Sequence, residues 1–202
     1  EKLGSHDPVA IHLQKNIPQQ SGLGGGSSNA ATTLWGLNNL FGKPFSLEEL
    51  IIMGKQIGSD VPFFFSNGFA YCTAKGERFV NIADSFDFSA YLVKPPYSLS
   101  TPIVYHHFRT EYQSKCPPPQ PDEFLAHPIY FNDLEKSAKQ IEPRLQQYTA
   151  NLKSRGFHTV VMTGSGTAHF CLGKPNCSVA DLHPIVVAPC IKSEQGWFPR
   201  PY

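Results

Sequence analysis

The sequence is short of charge, of long apolar runs and of paired cysteines. Only 16% of its residues are charged, and 17 basic against 16 acidic side chains leave a formal net charge of +1. That balance gives no electrostatic case for nucleic acid or a membrane surface as the main partner, so any ligand must be captured locally. No apolar run approaches the roughly 18–20 residues of a membrane span, and the opening, Glu1 to Pro8, has no signal-peptide apolar core. A soluble protein is expected. Five scattered cysteines (Cys72, Cys116, Cys171, Cys177, Cys190) contain no C-x-x-C, which indicates neither a disulfide framework nor a zinc site and fits a reducing cytoplasm. The pair His106-His107 has no partner at ligand spacing, so solvated or packing histidines are expected and no metal site. No internal repeat is visible. What remains is 202 residues that are 41% hydrophobic, enough for one large core or two compact lobes.

Along the chain, Val9 to Ile17 alternates apolar and polar residues as a half-buried strand does, and Pro18 ends it. Four glycines in five positions follow (Gly22, Gly24, Gly25, Gly26), then Ser27 and Ser28, either a natural N-cap. In the predicted helix, Ala30, Ala31, Leu34, Leu37, Leu40 and Phe41 share one inward face. Ser46-Leu47-Glu48-Glu49 reads as a capping box for a second helix carrying Leu47, Leu50, Ile51 and Ile57, which Gly58 stops. A hairpin is predicted from Phe69–Cys72 and Arg78–Ile82, and the first lobe is drawn to end there.

Beyond it, Ser89 to Lys94 reads as a strand, Pro102 to Thr110 as a helix, and Cys116 to Pro121 as a proline-rich connection. A long helix after Asn132-Asp133 turns Leu134, Ile141, Leu145, Tyr148 and Leu152 inward, with Pro143 kinking or dividing it. Strands at Phe157–Met162, Ala168–Leu172 and Pro184–Ile191 complete a lobe with an antiparallel sheet.

Three segments could carry chemistry. The glycine run, between a predicted strand and a helix, brings backbone N–H groups and the positive end of a helix dipole to one point, which suits a di- or triphosphate. Two familiar phosphate loops fail on counting. G-x-G-x-x-G from Gly22 requires glycine where Ser27 stands, and the nearest Walker A candidate, Gly36 to Gly42-Lys43-Pro44, has five intervening residues and ends in proline. Asp60 lies between a helix stop and Pro62; alone it reads as a helix or turn cap, and in the context of the glycine loop as an acid that orients or deprotonates a hydroxyl. Thr163-Gly164-Ser165-Gly166-Thr167 is either an ordinary tight hairpin or a backbone passage close to a ligand.

Taken in order, Lys15 to Ala31 with its glycine loop, Gly58-Ser59-Asp60-Val61-Pro62-Phe63-Phe64, and Gly164-Ser165-Gly166 resemble the GHMP kinase superfamily, over about Val9 to Leu172. Ser100-Thr101-Pro102 and Asn132-Asp133-Leu134-Glu135 favour the branch acting on a cytidine diphosphate-linked methylerythritol. The resemblance implies an α+β, two-lobed fold: an N-terminal lobe of the ribosomal-protein-S5-domain-2-like type at 1–82, here incomplete, and a ferredoxin-like C-terminal lobe at 83–202. It implies an ATP loop made of Pro18, Gln19, Gln20, Ser21, Gly22, Leu23, Gly24, Gly25, Gly26, Ser27 and Ser28, and a catalytic Asp60. Gly164, Ser165 and Gly166 would support the phosphate loop, and Tyr105 would place its ring on the cytosine. The partner implied is a small molecule, with ATP as co-substrate and Mg2+ accompanying it. The family's opening segment, with a catalytic lysine and a Gly-Tyr-His element, has no counterpart, and Lys15 does not replace that lysine by position. The chain is therefore expected to lack its natural start and to be weakly active or inactive. A homoserine- or mevalonate-type kinase and a non-catalytic ATP-binding remnant are the competing readings.

Overall fold

The computed structural model describes residues 8–82, 88–114, 120–190 and 192. They form two compact units: one holds 8–17, 24–82, 190 and 192, the other 18–23, 88–114 and 120–189. The glycine run is thus shared, with Pro18–Leu23 in the second unit and Gly24 onward in the first.

In the first unit, helix α1 (Gly25–Leu40) begins earlier than Ser27 or Ser28. Its N-cap is Gly24, at φ 66° and ψ 15° and with no side-chain cap, a left-handed conformation that glycine adopts without a Cβ penalty. Ala31 is buried, and with Ala30, Leu34 and Trp35 it packs against Leu50, Val61 and Phe65. The predicted inward face fails at its end, where Leu40 is 67% exposed. Asn38 is buried instead, because its amide donates to the Phe45 carbonyl (2.9 Å) and accepts the Phe45 N–H (3.0 Å), closing the turn after the helix.

Helix α2 (Leu47–Ile57) carries the expected capping box, with Glu49 N–H donating to Ser46 Oγ and Ser46 N–H donating to the Glu49 carboxylate. Leu50 and Gly54 face the core, whereas Leu47 and Ile57 are exposed, against expectation. A single 3-10 turn (Pro62–Phe65) leads to the antiparallel hairpin β1 (Ala70–Thr73) and β2 (Arg78–Asn81), paired from Ala70↔Asn81 to Thr73↔Arg78.

The predicted strand at Val9–Ile17 is not formed. These residues are extended or irregular and exposed, and no described strand lies beside them. Alternation supplies a face but not a partner, and an unpartnered strand leaves its backbone groups to water.

The second unit is built on a four-stranded antiparallel sheet of β3 (Ala90–Val93), β4 (Thr159–Met162), β5 (His169–Leu172) and β6 (Ile185–Val187), in the order β4-β5-β3-β6. That is the strand order of a ferredoxin-like β-α-β-β-α-β unit, with a one-turn 3-10 helix (Ala180–Leu182) where the second helix would stand. Between β3 and β4 run α3 (Thr101–His106), α4 (Pro121–Ala126), α5 (Leu134–Ile141) and α6 (Arg144–Ser154). α3 stops at His106, short of the predicted Thr110, and β6 has only three residues of the predicted Pro184–Ile191, whose last residue lies outside the described ones. α4 was not anticipated; Pro121 at its first position and a Gln120–Glu123 capping box start it, while most of the proline-rich connection before it, with Cys116, lies outside the described residues.

Pro143 divides the predicted long helix. It offers no N–H to a helical ladder and forces Glu142 to φ −130°, ψ 86°, so α5 ends and α6 restarts. Two apolar clusters fill this unit, one around Val93, Leu152, Phe157, Val160 and Cys171, the other around Leu99, Val104, Ala138, Leu145 and Met162. Among the described residues no helix is long and apolar enough to cross a membrane.

Candidate active site

The second unit brings three separated segments onto one loop, 163–168. Strands β4 and β5 are joined there by a turn in which Thr163 N–H donates to the Ala168 carbonyl (2.8 Å) and Gly166 N–H to the Thr163 carbonyl (3.1 Å). Against it lies Pro18–Leu23. The Ser21 carbonyl accepts both Ala168 N–H (3.2 Å) and Thr163 Oγ (2.9 Å), and Ser21 is buried. The approach is backbone on backbone. A Cβ on Gly166 would lie 2.0 Å from the Ser21 carbonyl carbon, and one on Gly22, at φ +79°, would lie 1.8 Å from the Thr163 oxygen. Gly164, at φ +48°, faces the Gly22 carbonyl. Glycine is required here by contact between chains of atoms that cannot rotate away.

Two further segments grip the same loop. Thr101 Oγ, in the first turn of α3, is 2.7 Å from Ser165 Oγ. Asn132 Nδ2 donates to the carbonyls of Met162 (2.6 Å) and Gly164 (2.7 Å). Thr167 Oγ donates to the Tyr97 carbonyl, which also accepts from Lys94 Nζ. Under the loop, His169 is fully buried with Nδ1 3.0 Å from the Thr167 carbonyl and Nε2 3.1 Å from Thr149 Oγ. Burial holds its imidazole down at about 4, against the opposing pull of the Glu135 charge and the bond to Thr167. Tyr105 lies on α3 and is 60% exposed, so its ring is free to meet a ligand.

The first unit holds the rest. At the start of α1 the first intrahelical bond is Ser28 N–H to the Gly24 carbonyl (2.9 Å), and no side chain caps the N–H groups before it. Those donors are unpaired by helix geometry, and Gly24, Gly25 and Gly26 carry no side chain to screen them. A Cβ on Gly24 would stand 3.0 Å from the Phe64 ring and one on Gly25 3.2 Å from Ile17, whereas Gly26 faces open space. Asp60 is exposed in the turn between α2 and the 3-10 segment, and no described residue donates a hydrogen bond to its carboxylate. Desolvation chiefly, and the Asp60 charge after it, push the nearby Cys72 thiol up. Cys72, Cys171, Cys177 and Cys190 are free thiols, and the His106 and His107 rings contact each other edge to face at the surface. No three His, Cys, Asp or Glu side chains among the described residues are grouped to hold a metal ion by themselves.

The sequence points to the glycines, Asp60 and Tyr105, and to Thr163 as a hydroxyl that could touch phosphate; Asn132 and Thr101 lie in segments that carry the family resemblance but receive no individual role from it. Beyond that resemblance, the local signal for Asn132 is its place just before a helix, where its Oδ1 accepts the Leu134 N–H (3.0 Å).

The family described as GHMP kinases N terminal domain matches residues 1–68. A 4-diphosphocytidyl-2-C-methyl-D-erythritol kinase of Protochlamydia amoebophila is 46% identical over 180 residues, covering 86% of this chain and 59% of its own length. The chloroplastic/chromoplastic enzyme of that name in Solanum lycopersicum is 38% identical over 186 residues, covering 87% of this chain and 46% of its own length. The chain therefore spans about half to three-fifths of these relatives. The crystal structure of a 4-(cytidine 5'-diphospho)-2C-methyl-D-erythritol kinase matches with a TM-score of 0.70 at 32% identity, covering 87% of this chain and 68% of that one. With that likeness in fold and sequence, the chain belongs to the 4-diphosphocytidyl-2-C-methyl-D-erythritol kinase family of GHMP kinases.

Proposed function

We propose that the protein transfers the γ-phosphoryl group of ATP to the 2-hydroxyl of 4-diphosphocytidyl-2-C-methyl-D-erythritol, a step of non-mevalonate isoprenoid synthesis. The observation that carries the reading is the interlock of Ser21–Gly22 with Gly164–Gly166, which holds the first half of the glycine run by backbone contact. In phosphoryl transfer a protein mainly positions the reactants and neutralises developing charge, which a row of fixed N–H donors does well.

In this reading Pro18 to Ser28 is the ATP loop, and the bare N–H groups at the start of α1 receive phosphate oxygens. Asp60 accepts the proton of the acceptor hydroxyl as the O–P bond forms; its exposure and lack of a described donor leave the carboxylate available. The exposed ring of Tyr105 stacks on the cytosine, and Ser165, tied to Thr101, lies on the same unit. Residues 1–82 act as the ATP-binding lobe and 83–202 as the second lobe. Mg2+ would accompany ATP and neutralise phosphate charge; among the described residues no three His, Cys, Asp or Glu side chains are grouped to hold it by themselves. A cytoplasmic location is part of the proposal, supported by four free thiols.

The test is phosphoryl transfer by the full-length protein with ATP and the cytidyl alcohol, beside homoserine and mevalonate. Transfer to the cytidyl alcohol alone is expected, and transfer to either other alcohol in its place would overturn the substrate assignment. Asp60→Asn should abolish transfer and leave ATP-analogue affinity within about twofold; an equal loss of both would make Asp60 a structural residue.

A further inference from the structure

We propose that Asn132 is a positioning residue for ATP, acting on the phosphate segment through Thr163; the inference rests on the ATP-loop reading above. Among the described residues β4 is an edge strand, and the backbone groups on its outer side have no described strand to meet them. At its last residue that deficit is filled from the segment Asn132-Asp133-Leu134-Glu135. Asn132 Nδ2 donates to the Met162 carbonyl, and the Glu135 carboxylate accepts the Met162 N–H at 3.4 Å. The second hydrogen of Asn132 Nδ2 goes to the Gly164 carbonyl. Because both carbonyls can only accept and the Leu134 N–H can only donate, just one orientation of the Asn132 amide satisfies all three.

The two carbonyls held in this way belong to the 162–163 and 164–165 peptides and so bracket the pair Thr163-Gly164, while the Thr163 carbonyl between them accepts the Gly166 N–H. Fixing both ends of that pair limits how Thr163 can turn, and so the aim of Thr163 Oγ, whose single hydrogen is shared between the Ser21 carbonyl at 2.9 Å and the Ala168 carbonyl at 3.2 Å. Gly164, at φ +48°, is the position where the plane would otherwise turn most easily, since glycine has the widest choice of conformations. Side chain to turn and hydroxyl to Ser21 are hydrogen bonds, and the Thr163 residue itself joins the two; all of it lies inside the second unit, and the last residue of the series opens the glycine run. Loss of the first link is expected to loosen Ser21–Gly22 without touching any group that meets the acceptor alcohol.

The test uses the full-length protein and a non-hydrolysable ATP analogue. Asn132→Asp keeps the Oδ1 that accepts the Leu134 N–H but sets a carboxylate against two carbonyls. Thr163→Val removes only the hydroxyl, and Thr163→Ser restores it. Asn132→Asp and Thr163→Val should each weaken analogue binding and raise the KM for ATP about tenfold, the worth of one or two net hydrogen bonds. KM for the alcohol and kcat should stay within about twofold, and Thr163→Ser should bind as the wild type does. Analogue affinity unchanged in Thr163→Val and Asn132→Asp would overturn the inference, as would parallel loss in both substrates' KM. If Asn132→Asp fails to fold, the Thr163 pair decides. Tight analogue binding by a wild type that does not phosphorylate the cytidyl alcohol would sink the acceptor assignment alone; no analogue binding by the wild type would sink both.

Discussion

Acid should destabilise the second unit through one residue, His169. Its Nδ1 faces a carbonyl, that of Thr167, and must carry the hydrogen in either charge state. Its Nε2 faces Thr149 Oγ, whose single hydrogen is also claimed by the Leu145 carbonyl at 2.8 Å. A protonated ring would relieve that competition by donating to Thr149, and Glu135 would welcome the charge. Burial opposes both, as does Lys139, which pairs with Glu135, and the folded-state value is held at about 4 against an ordinary 6.5.

The unfolded chain therefore binds the proton first as pH falls. The contribution of the neutral, buried ring is complete above about pH 6.5, declines between 6.5 and 4, and is lost below. At pH 5 the difference amounts to about 2 kcal/mol. The assay is urea unfolding at pH 7.5 and pH 5 of wild type and His169→Asn, whose Nδ2 can replace the bond to Thr167 and which does not titrate. Wild type should lose about 2 kcal/mol more than the variant on acidification. Equal losses, or an imidazole that titrates near its ordinary value in the folded protein, would refute the reasoning.

Gly166→Ala should unlock the loop from Ser21, because the 2.0 Å approach to backbone leaves nothing that can rotate aside. It is expected to cost about 2–4 kcal/mol, measured by chemical denaturation, through strain and the loss of the Ser21 bonds. Ser46→Ala removes the hydroxyl half of the capping box of α2 and should cost about 1 kcal/mol in the same assay.

Features whose cause lies within a few residues were legible in the sequence. Ser46 and Glu49 are three apart and cap each other; Pro143 breaks its own ladder; Thr73 and Arg78 are brought together by their own turn. The order of the glycine loop, Asp60 and the Gly164–Gly166 segment was legible as a family resemblance, and the comparisons bear out that family. Where the cause is distant, local pattern misled. Val9–Ile17 alternates yet has no described strand to pair with, and Leu40 keeps helical phase with the core but lies past the point where the core ends.

The sequence by itself thus determined the capped start of α2, the break at Pro143, the hairpin and the family, while the capping box of α4 went unread. Only the tertiary structure decided why Gly22 and Gly166 have no side chain, what Asn132 holds, and that His169 stays neutral. A glycine run states that side chains are absent; which atoms occupy the space they vacate depends on residues about 140 positions away, and hydrogen bonds and desolvation act across space rather than along the chain.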